Sequence, residues 1–403
     1  MDKQKLVSLA KEYNTPLFVY DGDLIKQRYN EFFSFIPYNK LKVKYAMKAN
    51  YNLAILKLLE QEGAGIDAVS PGDVHMALRA GFTSERILFT ANKITDSEMD
   101  EVKSLNVLFN IGSLSRLRKF GKAFPGSEVC IRFNPDVVAG EHKFIRTGGE
   151  ATKFGILLEK LEEVKSICKE YGLTVVGIHE HTGSGIPETV QMMKGMQNIL
   201  GIIKQENFPG LRFVDFGGGF QVPYKPEQEK KDYHLLGKQA IELFTKTCEI
   251  YGKELEFWIE PGKYIVSESG YLLTTVNTLK ENRGKKIAGT DSGFPQLIRP
   301  MFYQAYHHIT NLSNPNGDEK SYDVAGNICE TGDCFAVNRP ISEIREGDIL
   351  SIHNAGAYCY AMGGVYNLRA MPAEVLIFNG VSKLVRKRLS SKELIEKIVG
   401  ESL

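Results

Sequence analysis

Residues 43–80 read VKYAMKANYNLAILKLLEQEGAGIDAVSPGDVHMALRA. It opens on the apolar run Val43–Met47, passes into the amphipathic segment Leu53–Glu62, and repeats the pattern with Gly65–Ser70 and Asp73–Ala80. A short β-type run followed by a helical period is the βα unit of a parallel sheet. The strand half recurs at Arg86–Thr90, Val107–Ile111, Val129–Phe133, Val175–His179, Phe213–Phe216 and Glu256–Ile259. Helical periods fill the gaps at Ser97–Leu105, Leu114–Phe120, Leu161–Tyr171, Glu188–Gln205 and Leu235–Tyr251. Eight strands separated by helices over roughly 230 residues predict a (β/α)8 TIM-like barrel. A doubly wound open α/β sheet has the same periodicity; the count of eight favours the barrel.

After Pro261 the rhythm changes. Val266–Thr275, Lys286–Gly289, Tyr322–Ile328, Asp348–His353 and Val375–Phe378 read as strands separated by Gly, Pro and Asn turns, which predicts a C-terminal all-β domain. The strand-like run Pro16–Tyr20 precedes the barrel and is expected to pair with that domain. The division is therefore 22–264 for the barrel and 1–21 plus 265–403 for the β-rich part. Ser391–Val399 is expected to form a last helix, with Ser390 and Glu393 spaced for a capping box. The stretch from Pro135 to Phe154, with Gly140, Gly148 and Gly149, reads as a mobile lid or a long connection.

Composition narrows the class. The chain has 403 residues, 43% hydrophobic and 25% charged, with 50 Lys and Arg against 49 Asp and Glu. Such a balance lacks the basic footprint of a nucleic-acid or membrane-surface protein. No apolar run approaches the roughly 20 residues of a membrane helix, and Met1–Asn14 does not have the pattern of a secretion signal. The six cysteines form no C-x-x-C pair and have no histidine at a zinc-like offset, so reduced thiols, a cytoplasmic location and no metal are expected.

Chemistry in such a barrel gathers at the C-terminal ends of the strands. Those positions hold Lys48 and Asn50, Asp67 before Ser70, Asn92-Lys93, Arg132 and Asn134, His179-Glu180-His181 running to Ser184, Gly217–Gly219, and Glu260 with Gly262 and Lys263. Singly each has a plain structural explanation. Lys48 reads as a strand-end surface lysine, His181 as a core histidine, the glycines as a tight turn and Glu260 as a cap. His307, His308 and His353 keep that plain reading, and Cys334 and Cys359 read as packing thiols. Together, a reactive lysine, a flat imidazole, a glycine run able to bind an anion and a buried carboxylate suggest pyridoxal 5'-phosphate. That cofactor needs a lysine for its Schiff base, N–H donors for its phosphate and a partner for its ring nitrogen.

These residues, in this order, resemble the alanine-racemase-fold group of pyridoxal-phosphate decarboxylases (fold type III), and within it the diaminopimelate decarboxylases. The resemblance runs from Thr15–Tyr20 to Pro372–Val375 through Tyr45–Asn50, His179–Gly185, Asp215–Gly219, Glu260–Lys263, Cys329–Asp333 and Gly356–Tyr358. It implies that Lys48 holds the cofactor, that His181 stacks on its ring and that Glu260 binds the ring nitrogen. Ser184, Gly217, Gly218, Gly219 and Gly262 would bind phosphate, with Asp67, Arg132 and Tyr366 nearby. It implies a head-to-tail homodimer with shared active sites, so that Cys329, the proton donor to product, and Glu330 come from the partner subunit. Lys263, Arg299 and Tyr303 would hold the distal carboxylate of the amino-acid substrate, Glu330 its distal ammonium, and Tyr366 would line the site.

The implied reaction is decarboxylation of meso-diaminopimelate to L-lysine and CO2, the last step of lysine biosynthesis. Ornithine, lysine or a carboxylated polyamine such as carboxynorspermidine is the alternative substrate. A diamino acid without the second carboxylate leaves buried cations unpaired, a mismatch worth about 10⁴–10⁵ in selectivity. A racemase pairs the ring nitrogen with Arg, and Glu260 argues against it; intact Lys48, Glu260 and Cys329 argue against a silent regulatory homologue. The departures are Lys263 where relatives more often carry Arg, Ala370-Met371 at an often basic position, Gly363–Val365 in place of a more polar stretch, and Glu180 and Thr182 where apolar or small residues are commoner.

Overall fold

All eight strands read in the first two thirds of the chain are present, and their hydrogen bonds close into a ring. The computed structural model describes residues 1–137, 153–186 and 188–399; most of the glycine-bearing stretch expected as a lid or connection lies outside them. After β1 (Leu17–Asp21) come β2 (Leu41–Ala46), β3 (Gly65–Ala68), β4 (Ile87–Phe89), β5 (Leu108–Ile111), β6 (Glu128–Asn134), the two-residue β7 (Ile156–Leu157), β8 (Thr174–His179), β9 (Phe213–Asp215) and β10 (Glu256–Ile259). Strands β2, β3, β4, β5, β6, β8, β9 and β10 pair in parallel in that order, and β10 returns to β2. The closed barrel replaces the open-sheet alternative.

Local chemistry explains where the helices begin. Ser70, noted above beside Asp67, is the N-cap of the helix Pro71–Ala80 and accepts the Asp73 N–H at 3.1 Å, with Pro71 opening the first turn. Asn52 caps Leu53–Gln61 in the same way. Thr95 and Glu98 form a full capping box before Asp96–Ser104. Two helices lie outside the predicted alternation: Lys3–Tyr13, capped by Asp2, and Gly22–Phe35.

Inside the barrel the lower layer is aromatic. Phe213 and Trp258 stack at 3.5 Å between ring centroids, and the Lys44 ammonium lies 4.0 Å above the Trp258 ring while donating to the Arg86 carbonyl. Gly177, paired with Phe213 across the sheet, makes room for that stack: a Cβ there would lie 2.0 Å from the Phe213 ring. The upper layer is polar and carries Asp67, Arg132, His179 and Asp215, all buried. Register aligns Arg132 with His179 and His179 with Asp215.

The second sheet contains β1 together with β11 (Gly270–Asn282), β12 (Lys285–Thr290), β13 (Ile309–Asn311), β14 (Glu319–Ala325), β15 (Cys334–Ser342), β16 (Ile349–Ile352), β17 (Ala373–Phe378) and β18 (Val381–Arg386). Its order is β15-β14-β12-β11-β1-β17-β18, with β16 joining β11 to β13. As expected, Leu17–Asp21 enters this sheet, antiparallel to β11 and parallel to β17. Leu6, Leu9 and Ala10 of the first helix cover it, packing on Leu17, Val19, Leu273, Val375 and Ile377. The strand expected from Val266 starts only at Gly270, because Lys263–Val266 forms a helical turn. β13, β15 and β18 were not foreseen. The last helix carries the expected box, Ser390 N–H to Glu393 and Glu393 N–H to Ser390. By packing, one unit comprises Met1–Lys26, Pro223–Lys230 and Ile265–Leu403, and the other Gln27–Val222 and Lys231–Tyr264. The segment Pro223–Lys230, placed in the barrel by sequence, therefore belongs with the β-rich unit, where Asn354 donates to the Pro223 carbonyl.

Candidate active site

The polar upper layer of the barrel is a linked set of charges. Lys48 stands in the turn Met47–Ala49 just past β2, and its Nζ lies 2.8 Å from Asp67 Oδ2 at the end of β3. That turn is pinned where Tyr45 donates its hydroxyl to the Asn50 carbonyl at 2.9 Å. Asp67 is shut in while the Lys48 side chain is 42% exposed, so the amine is reachable from the strand-end mouth. Burial, with Glu260 adding, pushes the Asp67 carboxyl up; Lys48 opposes.

Glu260 follows β10 directly. Its Oε2 lies 3.0 Å from His179 Nε2, and among the described residues no hydrogen-bond partner reaches its buried Oε1. Burial, reinforced by Arg132, holds the His179 imidazole well below its ordinary range. The ring is therefore neutral and donates Nε2–H to the carboxylate. Burial also raises Glu260, while Lys48 and Arg132 favour its ionised form. Arg132 lies with its guanidinium 5.0 Å from the Phe154 ring.

The glycine run after β9 is required by close approach. A Cβ on Gly218 would lie 2.5 Å from the Glu260 carbonyl, and one on Gly217, at φ 63°, would lie 2.6 Å from His181 Nδ1. Two of its N–H groups are already engaged: Gly217 donates to Asp215 Oδ1 at 2.9 Å and Gly218 to His181 Nδ1 at 3.1 Å. Among the described residues no acceptor takes the N–H of Gly219 or Gly262 or the hydroxyl of Ser184. The His181 ring is thus held neutral with Nδ1 as acceptor, in keeping with the burial that lowers its pKa. Gly262 packs on the Lys48 turn, where a Cβ would lie 2.9 Å from the Ala46 carbonyl.

Lys48, Asp67, Arg132, His181, Ser184, Gly217–Gly219, Glu260, Gly262 and the buried Lys263 all belong to the barrel unit. The remaining expected residues belong to the β-rich unit and form two groups. In one, Cys329 is exposed with Sγ 3.5 Å from Asn367 Oδ1, and the Tyr366 hydroxyl donates to Glu330 at 3.0 Å. Asp333 holds their turn by accepting the N–H groups of Ile328 and Phe294. In the other, Arg299 and Tyr303 bound the short helix Arg299–Tyr303.

Sequence reasoning gave four residues no role in the site. His179 and Asp215 lie in phase with Arg132 along their strands, an alternation that marks them as interior. Lys44 is two residues below the interior Ala46 by the same rule. His307, read as structural, bonds Arg299: it takes the Arg299 Nε–H at 3.3 Å on Nε2 and donates Nδ1–H to the His353 carbonyl at 2.8 Å. Burial and Arg299 lower its pKa to about 3, which keeps it neutral for that task. No sequence period would have found it.

Residues 23–267 match the pyridoxal binding domain of pyridoxal-dependent decarboxylases. The chain is 42% identical over 397 residues to a diaminopimelate decarboxylase of Methanothermobacter thermautotrophicus, covering 96% of this chain and 92% of that one. It is 35% identical to the diaminopimelate decarboxylase of Aquifex aeolicus, over 97% and 93% of the two chains. Among solved structures, a diaminopimelate decarboxylase superposes with TM-score 0.93 at 31% identity, over 99% of this chain and 97% of that one. The Helicobacter pylori diaminopimelate decarboxylase complexed with L-lysine gives TM-score 0.90 at 30% identity, over 99% and 100%.

Proposed function

Since the chain belongs to the diaminopimelate decarboxylases, within the pyridoxal-dependent decarboxylases, we propose that it removes CO2 from meso-diaminopimelate to leave L-lysine. The observation that carries the reading is the buried Oε1 of Glu260, an acceptor with no donor among the described residues, in a site that also offers a mouth-facing lysine amine. A protonated pyridine nitrogen is the donor such an oxygen lacks, so these residues fit pyridoxal phosphate. Lys48 would hold it through Nζ, Glu260 at its ring nitrogen and His181 against its ring. Gly219, Gly262 and Ser184 would meet the phosphate, and the close-packed Gly217 and Gly218 would shape that cradle. When bound, the cofactor supplies an electron sink for the pair left on the α-carbon as CO2 departs.

The protein's own groups do the rest. Asp67 Oδ2 accepts the Lys48 Nζ–H and takes up the proton that frees the amine as a nucleophile; its raised pKa makes that transfer less costly. The C–CO2 bond breaks, CO2 leaves, and Cys329 Sγ–H returns one proton to the same carbon before recovering one from solvent. Lys263, Arg299 and Tyr303 hold the distal carboxylate, with His307 fixing the Arg299 fork, while Glu330 and Tyr366 receive the distal ammonium.

Cys329 and Glu330 would act on the barrel of a second copy in a homodimer with shared sites. Their surroundings support an interface: Met301, Phe302, Val365 and Leu368 are large apolar side chains left exposed on the same unit. Among the described residues no helix is long and apolar enough to cross a membrane. All six cysteines are free, which suits the reducing cytoplasm.

The test is CO2 release by the purified holoenzyme offered meso-diaminopimelate, lysine, ornithine and carboxynorspermidine in parallel. Release from meso-diaminopimelate alone is expected, with Lys263 serving as a point charge where an arginine fork is commoner. Release from another of the four would keep the cofactor chemistry and refute the substrate.

A further inference from the structure

His179, Asp215 and Glu260 each turn a polar atom to one point, and these atoms lie within 4.8 Å of one another in a place closed to water. Only part of their bonding is accounted for. Asp215 Oδ1 accepts the Gly217 N–H at 2.9 Å, and Glu260 Oε2 faces the His179 Nε2–H at 3.0 Å. Among the described residues no hydrogen-bond partner reaches the buried Asp215 Oδ2, Glu260 Oε1 or His179 Nδ1. Two carboxylates this close, away from solvent, cannot both ionise cheaply, and a proton shared between them removes the repulsion and supplies a missing bond.

We propose that Asp215 is a positioning residue that carries this proton on Oδ2 and donates it to Glu260 as an O–H···O bond, occupying one carboxylate lone pair and leaving another for the ring nitrogen. With the His179 Nε2–H as second donor, Glu260 is then kept ionised and fixed in orientation, as its work on the ring nitrogen demands. This rests on the cofactor chemistry proposed above and adds to it a residue that binds neither cofactor nor substrate.

The surrounding charges decide which carboxylate keeps the proton. The groups facing the pair are Lys44 from β2, Asp67 from β3 with Lys48 beside it, Cys130 and Arg132 from β6, and His179 with the adjoining Glu180 at the end of β8. Lys48 and Arg132, with Lys44 behind them, favour an ionised Glu260. Asp215 has the Gly217 N–H and Lys44 on its side, with Glu260 and Asp67 both against it. Burial and those two carboxylates push the Asp215 carboxyl well above its usual range.

The experiment compares the holoenzyme with Asp215→Asn and Asp215→Ala. Asn keeps an oxygen for the Gly217 N–H and places N–H donors where the O–H stood, so it should restore most of what Ala loses. In the infrared spectrum near neutral pH, a carboxylic-acid C=O band of the parent should vanish in Asp215→Asn. Asp215→Ala should lower kcat about 10²-fold with KM little moved, the scale of one lost electrostatic donor, and Asn should recover at least about tenfold of it. In Asp215→Ala the pH at which the bound cofactor's absorbance titrates should fall, because Glu260 then takes the proton itself. An infrared band unchanged in Asp215→Asn, or Asn as impaired as Ala, overturns the proposal. The infrared test stands even if Asp215→Ala fails to fold. A parent that binds pyridoxal phosphate but releases CO2 from no amino acid refutes the proposed function instead, leaving the Asp215 proton to be judged by the band.

Discussion

Glu180 shows how strongly one residue answers to its surroundings. It follows His179 at the end of β8, yet its side chain turns to Thr182, whose hydroxyl it accepts at 2.9 Å, and to Gly195 of the helix Thr189–Leu200. Burial pushes its pKa up to about 8. Because the folded value lies above the unfolded one, the native state binds the extra proton between about pH 4.5 and 8. The stability that proton brings is full below that window and lost as pH rises through it. Glu180→Gln removes the dependence, so urea unfolding should show the variant gaining roughly 3–5 kcal/mol on the parent across the window. Lys44 is the opposite case: burial lowers its pKa to about 8 despite Asp215 and Glu256 nearby. Its unfolded form holds the proton up to about 10.5, so stability rises with pH between those values. Lys44→Met should stabilise the protein by roughly 2 kcal/mol at neutral pH, less the lost bond to the Arg86 carbonyl. The gain should shrink above about pH 8 in the same unfolding series.

At the scale of elements, the barrel strands are short, and their fit depends on what lies between them. β9 has three residues and β4 three, yet their neighbours on both sides hold them. The Phe213–Trp258 stack is the bulk that fills the lower layer, and Gly177 on β8 is the space it occupies. Gly177→Ala puts a methyl 2.0 Å from the Phe213 ring, so the stack must separate. Overpacking of this kind costs about 1–3 kcal/mol, and a lowered urea midpoint with an unchanged slope would record it. An unaltered midpoint would mean that the lower layer is loose. In the β-rich unit, β1 lies between β11 and β17, and Tyr20 reaches from it to the buried Glu374, which also pairs with Arg386. A five-residue strand from the start of the chain thus holds strands drawn from its last third.

For the whole molecule the central matter is how many chains make one site. Lys48 and Glu260 belong to the barrel unit, and Cys329, Glu330 and Tyr366 to the β-rich unit. If each site takes its two halves from different copies, Lys48→Ala and Cys329→Ala chains are each nearly inactive alone, but mixed dimers hold one intact site. Random exchange of equal amounts should then restore about a quarter of the parent's decarboxylation. No recovery, with exchange verified by a tag on one variant, would place the whole site in a single chain.

How much was legible beforehand follows from where the information lies. The eight βα units, the change of rhythm after Pro261 and the pairing of Pro16–Tyr20 with the later sheet were readable, because hydrophobic period records local burial. Lys48, Asp67, Arg132, His181 and Glu260 were readable because strand ends are where such a barrel exposes its side chains. The sequence determined that much alone. Tertiary structure decided that His179 would bond Glu260, that Asp215 would come within reach of it, that Lys44 would lie over Trp258 and that His307 would hold Arg299. The barrel pairings join residues far apart in the chain, whereas His307 lies just beyond the short helix that carries Arg299. Only the register between strands sets which charge meets which, and burial there, not residue type, decides where the protons sit.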